Sequence, residues 1–365
     1  MRALVKRMPG PGAIELLEVA EPAPGRGEVL IRVHAAGICG TDLHILHGRP
    51  PVELRYPVVL GHELAGVIAA VGPEVAALRP GDPVVAETTF TRCGRCPACR
   101  RGAYTLCPER RTIGTYHDGA FAPLVVVPAW AVHRLRPETD RAHAALAEPL
   151  AVACHALVER SAVAPGERVL VSGPGPVGLA CLAVACQAGG RVAVAGAAGD
   201  EARLACAARL GAEASGGWDD PGLADWLADG VDLLVEASGA ERALASGVPH
   251  VRAGGRVVQL GLFGEPVRVD LDRWVLREIT WIPSVSQTHG SWRIAVKLIE
   301  SGLVDLTPMI SGRFPLARWA EAFRMAETRG GVKVLLLPDG SPLEEKGACS
   351  SGATTASASP ESRSD

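Results

Sequence analysis

The sequence predicts a mixed α/β chain in which a β-rich domain is joined to a doubly wound parallel sheet. Three observations predict it. The chain has 365 residues, about the length of two domains. Up to about residue 135 it runs in β-branched stretches broken by Gly and Pro, and from Ala142 it turns rich in Ala and Leu. Strand-like and helix-like segments then alternate, and the strands are almost continuously apolar, as in a sheet covered on both faces.

The elements follow in order. VLIRVHAAGIC (29–39) and VVVPAWAVHRL (125–135) read as strands. AHAALAEPLAVACHALVERSAV (142–163) reads as helix. ERVLVSG (167–173) is a strand, and VGLACLAVACQA after it a helix stopping at Gly189 and Gly190. RVAVAG and GDEARLACAARLGA form a second strand and helix. VDLLVEASG, GGRVVQLG and EITWIPSVS are further strands. A helix (SWRIAVKLIESG) and a last strand (VKVLLLP) follow residue 288. Beyond Pro338 the Ser, Ala, Gly and Glu content predicts a disordered tail, which holds Cys349.

Composition narrows the function. Net charge is -3, from 37 Lys and Arg against 40 Asp and Glu, without the basic excess of a nucleic-acid or anionic-membrane binder. Hydrophobic residues make up 48% and aromatics only 4%, so the core must rest on Val, Leu, Ile and Ala. No apolar run reaches the roughly 18 residues of a membrane span. The stretch MRALVKRMPGPGAIELLE has no signal-peptide core, so a cytoplasmic location is expected.

Gly173, Gly175 and Gly178 stand in a G-x-G-x-x-G pattern, with Pro176 and Val177 between the last two. The pattern follows a predicted strand and opens a predicted helix, the context in which it binds a dinucleotide. The first Gly allows the turn, the second lets the backbone approach a pyrophosphate, and the third lets helix pack on strand. Pro176 falls where a helix tolerates proline. At the end of the second strand an acidic residue would take the ribose hydroxyls of NAD; Gly196 stands there instead, which suits the 2′-phosphate of NADP. Arg203 could meet that phosphate or lie on a solvated helix face, and Asp200 could reach the ribose. NAD and NADP both remain open.

Cys93, Cys96, Cys99 and Cys107 lie within fifteen residues. Four thiolates at this spacing close a tetrahedral shell around one zinc ion and leave no open position, so the site is structural. Disulfides belong to small secreted chains. An iron–sulfur cluster also takes four thiolates, but with other spacings. Arg92, Arg95, Arg100 and Arg101 flank this lobe as a solvated surface.

A second, open metal site is suggested by Cys39 with Thr41 and His44, by His62 with Glu63, and by Glu148. Cys, His and carboxylate make a three-ligand zinc site with room for substrate. The order G-I-C-G-T-D-x-H, G-H-E, four-Cys lobe, E-P-L, G-x-G-x-x-G resembles the zinc-containing medium-chain dehydrogenase family over residues 1–338. The resemblance implies a GroES-like catalytic domain (1–151 and 288–338), a Rossmann domain (152–287), and an active site between them. It implies one catalytic and one structural zinc, with NAD or NADP. Cys39 and His62 resemble the fixed ligands, Glu63 or Glu148 the third. Both carboxylates could ligate only if the backbone is irregular at His62. Thr41 and His44 match a proton relay; a helix cap and a surface histidine are their plain alternatives. Ser238, Gly261 and Ser284 should line the nucleotide cleft, and Lys333 should either reach the pyrophosphate or lie in solvent.

The expected activity is oxidation of a secondary alcohol of a polyol, sugar or cyclitol, as in the polyol, threonine and glucose dehydrogenase branch. Threonine- or butanediol-type and general alcohol dehydrogenases are alternatives, as is a zinc-free reductase of the same fold. A non-catalytic nucleotide- or nucleic-acid-binding zinc protein would leave Cys39, His62 and Glu148 without a role. The family's enzymes imply a homodimer or homotetramer.

Overall fold

A computed structural model describes residues 1–338; the expected tail and Cys349 lie outside the described residues. The β-rich part is built on a seven-stranded sheet. Its order runs Val132–Arg134, Pro83–Ala86, Glu63–Val71, Glu28–Gly37, Lys333–Leu337, Ile310–Pro315, with Leu124–Pro128 also paired to Glu28–Gly37. The expected strand 125–135 is interrupted by a tight turn at Ala129–Ala131. The C-terminal strand therefore returns to the N-terminal sheet: Leu335 pairs with Gly37, which itself pairs with Glu63.

The second sheet has six parallel strands in the order Ala214–Gly217, Arg191–Gly196, Arg168–Ser172, Val231–Glu236, Val251–Gln259, Thr280–Pro283. The strands are parallel throughout, but the order in which the chain adds them reverses between Arg168–Ser172 and Val231–Glu236, the switch point at which such sheets open a crevice. Helix Pro176–Gln187 starts there. It consists of small and apolar residues and is buried from Gly178 to Ala185, so it has no polar face to pattern.

The stretch 142–163 is not one helix. It divides into Arg141–Ala144, Ala147–Cys154 and a π-helical turn, His155–Arg160. Ala147–Cys154 packs between Pro176–Gln187 and helix His289–Glu300. That packing fixes the first turn of Ala147–Cys154, which carries Glu148, between the two sheets. The reading along the chain passed over strand Ile310–Pro315 and helices Pro221–Leu227, Glu241–Gly247, Leu271–Leu276 and Trp319–Glu327.

Candidate active site and nucleotide cleft

Strand Glu28–Gly37 ends just before Cys39, which caps helix Gly40–Leu46. Asp42, fully buried, accepts the Cys39 backbone N–H at 2.9 Å and fixes the turn. His62 stands one residue before strand Glu63–Val71. Gly61 has φ +92°, a conformation that glycine reaches at no steric cost. This irregularity lets neighbours that would alternate in a strand turn to the same place. The ligand atoms of Cys39, His62 and Glu63 all lie within 4.8 Å of one another.

Glu63 is also held from behind. Lys333 Nζ donates to its two carboxylate oxygens at 2.8 and 2.7 Å, and to Ile38 O at 3.1 Å. Both readings of Lys333 from sequence are therefore corrected: it touches neither pyrophosphate nor solvent, because the sheet return places its strand beside Gly37 and Glu63. Glu148 lines the same cleft as Cys39 and His62 and accepts a hydrogen bond from Gln287 Nε2. Asp42, Glu63 and Glu148 are all buried around Cys39, with one ammonium, that of Lys333, among them. Burial, and then the charge of Glu63, push the Glu148 carboxyl up to about 7. Burial disfavours a charge on His62, yet the adjoining Cys39 sulfur holds its pKa well above the ordinary value. A thiol, an imidazole and carboxylates converging with too little positive charge suit a divalent cation, and zinc accepts this donor set.

Cys39, Thr41, His62 and Glu148 open onto a cleft of about 310 Å³, which Val177 and Ser284 line from the nucleotide side. Thr41 lies inside the helix rather than capping it, and His44, one turn on, is exposed. A second cleft of about 290 Å³ lies at the switch point, lined by Gly173, Gly175, Gly196, Arg203 and Ser238, with Asp200 and Arg329. Pro176 is the first residue of its helix. A Cβ on Gly178 would fall 2.0 Å from Gly173 O, so only glycine permits this approach of helix to strand. Gly261 is pressed against Gly239 and Glu236; its neighbours Leu260 and Leu262, rather than Gly261, line the substrate cleft.

Arg203 is not on a solvated face. Its Nε donates to Gly331 O at 2.9 Å, and its guanidinium stands 3.7 Å from Asp200. Arg329, absent from the sequence reading, stands 3.8 Å from the same carboxylate oxygen.

The four cysteine sulfurs of the lobe also lie within 4.8 Å of one another. Cys93 and Cys99 sulfurs are 4.0 Å apart, near the roughly 3.8 Å that tetrahedral 2.3 Å zinc–sulfur bonds require. Backbone N–H groups of Cys96, Cys99 and Cys93 point at the sulfurs of Cys93, Cys96 and Cys107. The backbone N–H groups of Cys96 and Arg95 pull the Cys93 thiol down to about 6, toward the thiolate that a metal needs. The flanking arginines are all exposed, as expected; Arg92 lies over the Trp130 ring at 3.9 Å and Arg95 pairs with Glu109 at 2.8 Å on that surface.

Sequence reasoning missed Asp42, Arg110, Gln287, Arg329 and the true place of Lys333. Asp42 lies inside the quoted motif and was findable as a helix-start acid; the others come from distant segments and carry no local signal.

The family of alcohol dehydrogenase GroES-like domains matches residues 25–137, and that of zinc-binding dehydrogenases matches residues 176–301. A sorbitol dehydrogenase of Halalkalibacterium halodurans is 34% identical over 344 residues, covering 93% of this chain and 99% of its own. A D-arabitol-phosphate dehydrogenase of Enterococcus avium is 35% identical over 342 residues, covering 92% and 97%. Among solved structures, a zinc-binding dehydrogenase of Sinorhizobium meliloti bound to NADP has a TM-score of 0.84 at 31% identity, covering 92% of this chain and 99% of that one.

Proposed function

The chain belongs to the zinc-containing medium-chain alcohol dehydrogenase family, and from that premise we propose that it oxidises a secondary alcohol of a polyol, sugar or cyclitol, or reduces the matching ketone. As a member it is an oxidoreductase that uses zinc and a nicotinamide dinucleotide. The observation that carries the proposal is the buried, acid-rich convergence of Cys39, His62 and two carboxylates at the base of a cleft that adjoins the nucleotide crevice.

Cys39 and His62 would hold the catalytic zinc, with Glu63, whose carboxylate lies within 4.8 Å of both, or Glu148 as the third ligand. Glu148 lines the cleft with Cys39 and His62, whereas both oxygens of Glu63 are engaged by Lys333 behind it. Zinc bound there would supply Lewis acidity to lower an alcohol's pKa, and a bound dinucleotide would be the hydride acceptor. Thr41 stands in the cleft and His44 one helical turn away in solvent, an arrangement suited to passing the alcohol proton outward. Val177, Leu260 and Leu262 wall the cleft with apolar surface that limits water. Cys93, Cys96, Cys99 and Cys107 would hold the structural zinc. Gly173, Gly175 and Ser238 would meet the pyrophosphate and ribose, while Gly196, Arg203 and Arg329 support acceptance of a 2′-phosphate, and hence of NADP.

The division into a catalytic domain (1–151, 288–338) and a nucleotide domain (152–287) belongs to this proposal, supported by the return of strand Lys333–Leu337 to the N-terminal sheet. So do a cytoplasmic location and a homo-oligomer. No helix of the described residues is long and apolar enough to cross a membrane.

The test is a metal count with a panel of polyols, sugars and cyclitols assayed with NAD and with NADP. About two zinc ions per chain are expected. Cys39→Ser should lose one of them and more than about a hundredfold of turnover, since even changes beside a ligand cost about 10–100-fold. Full activity in Cys39→Ser would overturn the assignment.

A further inference from the structure

Among the side chains that line the cleft is a cation that hydride transfer does not use, that of Arg110. Arg110 follows the four-cysteine lobe directly, and its backbone N–H donates to Cys107 O at 3.0 Å, so the lobe sets where its side chain goes. The guanidinium lines the cleft that holds Cys39, His62 and Glu148. Nε donates to Thr89 Oγ1 at 2.9 Å; Nη2 donates to Thr88 Oγ1 at 3.0 Å and Ser286 Oγ at 2.9 Å. These acceptors are neutral hydroxyls. Among the described residues no carboxylate forms an ion pair with Arg110.

Glu148 and Glu87 lie near enough to favour the charge of Arg110, but neither hydrogen-bonds to it. Glu87 takes hydrogen bonds from Tyr104, from His133 at 2.9 Å and from His289 at 2.8 Å. Glu148 takes one from Gln287. If Cys39 and Glu148 both ligate zinc, their two negative charges balance it, and the cleft keeps the full positive charge of Arg110. A half-buried guanidinium held in place by three hydroxyls, without an anion, is costly to maintain unless a ligand completes it. Thr112 and Thr115 offer further hydroxyls in the same cleft.

We infer that Arg110 forms an anion subsite, so that the alcohol this enzyme selects carries a phosphate or carboxylate group in addition to the hydroxyl that is oxidised. The inference rests on the zinc dehydrogenase reading above, and it narrows the substrate from neutral polyols to their anionic counterparts. It also gives the four-cysteine lobe a part in recognition, because its fold delivers Arg110 to the cleft wall.

The test compares kcat/KM for matched alcohols with the zinc-loaded enzyme. One arm sets a sugar alcohol against its monophosphate, and the other a hydroxy acid against its amide; the two arms separate phosphate from carboxylate. A charge-assisted contact predicts a preference of about 10- to 150-fold for the anionic member of at least one pair. In Arg110→Gln the loss on the anionic member should exceed the loss on the neutral one by about tenfold or more. Arg110→Lys, which keeps the charge but not the fork, should retain part of the preference. Calorimetric titration with inorganic phosphate should show binding to the wild type and none to Arg110→Gln of equal zinc content. Equal use of both members by the wild type, or a preference that survives Arg110→Gln, overturns the inference. Failure to turn over either member with either dinucleotide would count against the dehydrogenase assignment, and the phosphate titration would then decide the subsite alone.

Discussion

Lys333 and Glu63 are each about 1% exposed, and all three hydrogen bonds of the ammonium go to protein oxygens. A pair this deep recovers its desolvation only while both members are present. Lys333→Met should therefore cost about 3–5 kcal/mol of unfolding free energy, read as a lower guanidinium midpoint of the zinc-loaded protein. Adding Glu63→Leu should restore most of the loss, since it removes the stranded charge. A single variant as stable as wild type would mean that water, rather than Lys333, compensates Glu63. This pair also marks where sequence reading stops. Strand Lys333–Leu337 is legible as an apolar run, but Glu63, the partner of Lys333, is 270 positions away, and no local pattern records that pairing. Cys39, His62 and the four cysteines are legible because ligand chemistry demands particular residue types at short spacing. Arg110 and Gln287 are ordinary polar residues that only distant partners bring to the cleft.

At the scale of elements, the strand–Gly-rich turn–helix unit was legible because Gly173 and Gly178 answer local steric demands. The segment 142–163 was not, because its breaks are set by what packs on it. In the short helix Arg141–Ala144, His143 Nε2 accepts the backbone N–H of Leu306 at 3.0 Å, which requires an unprotonated nitrogen. Burial holds its pKa below the ordinary 6.5, and Asp305 opposes this only in part. The unfolded chain therefore takes up a proton near pH 6.5 that the native state refuses. The stabilisation is complete above that pH and is lost as pH falls toward the lower native pKa. His143→Gln presents an amide oxygen to Leu306 without titrating. Its denaturation midpoint should fall less than that of the wild type between pH 7.5 and 5.5. An equal or steeper fall would show that His143 is not the group taking up the proton.

At the scale of the whole molecule, the six-stranded sheet ends at strand Thr280–Pro283, which among the described residues pairs on one side only. Open edges invite pairing, and soluble proteins usually blunt them with charge or cover them. Here the edge carries Trp281, 45% exposed, and the adjoining helix Leu271–Leu276 carries Val275 and Leu276, 74% and 84% exposed. An apolar patch beside an unpaired strand is the surface that a second copy would cover, and a two-fold axis there would join the two sheets edge to edge. Light scattering should accordingly find at least a dimer. Leu276→Asp should drive it to monomer, because each copy would place a charge in the buried contact. Ser284 to Gln287, which follow this strand directly, wall the substrate cleft and hold Glu148. Dissociation should then lower turnover as well, and a monomeric wild type would remove this surface from the account.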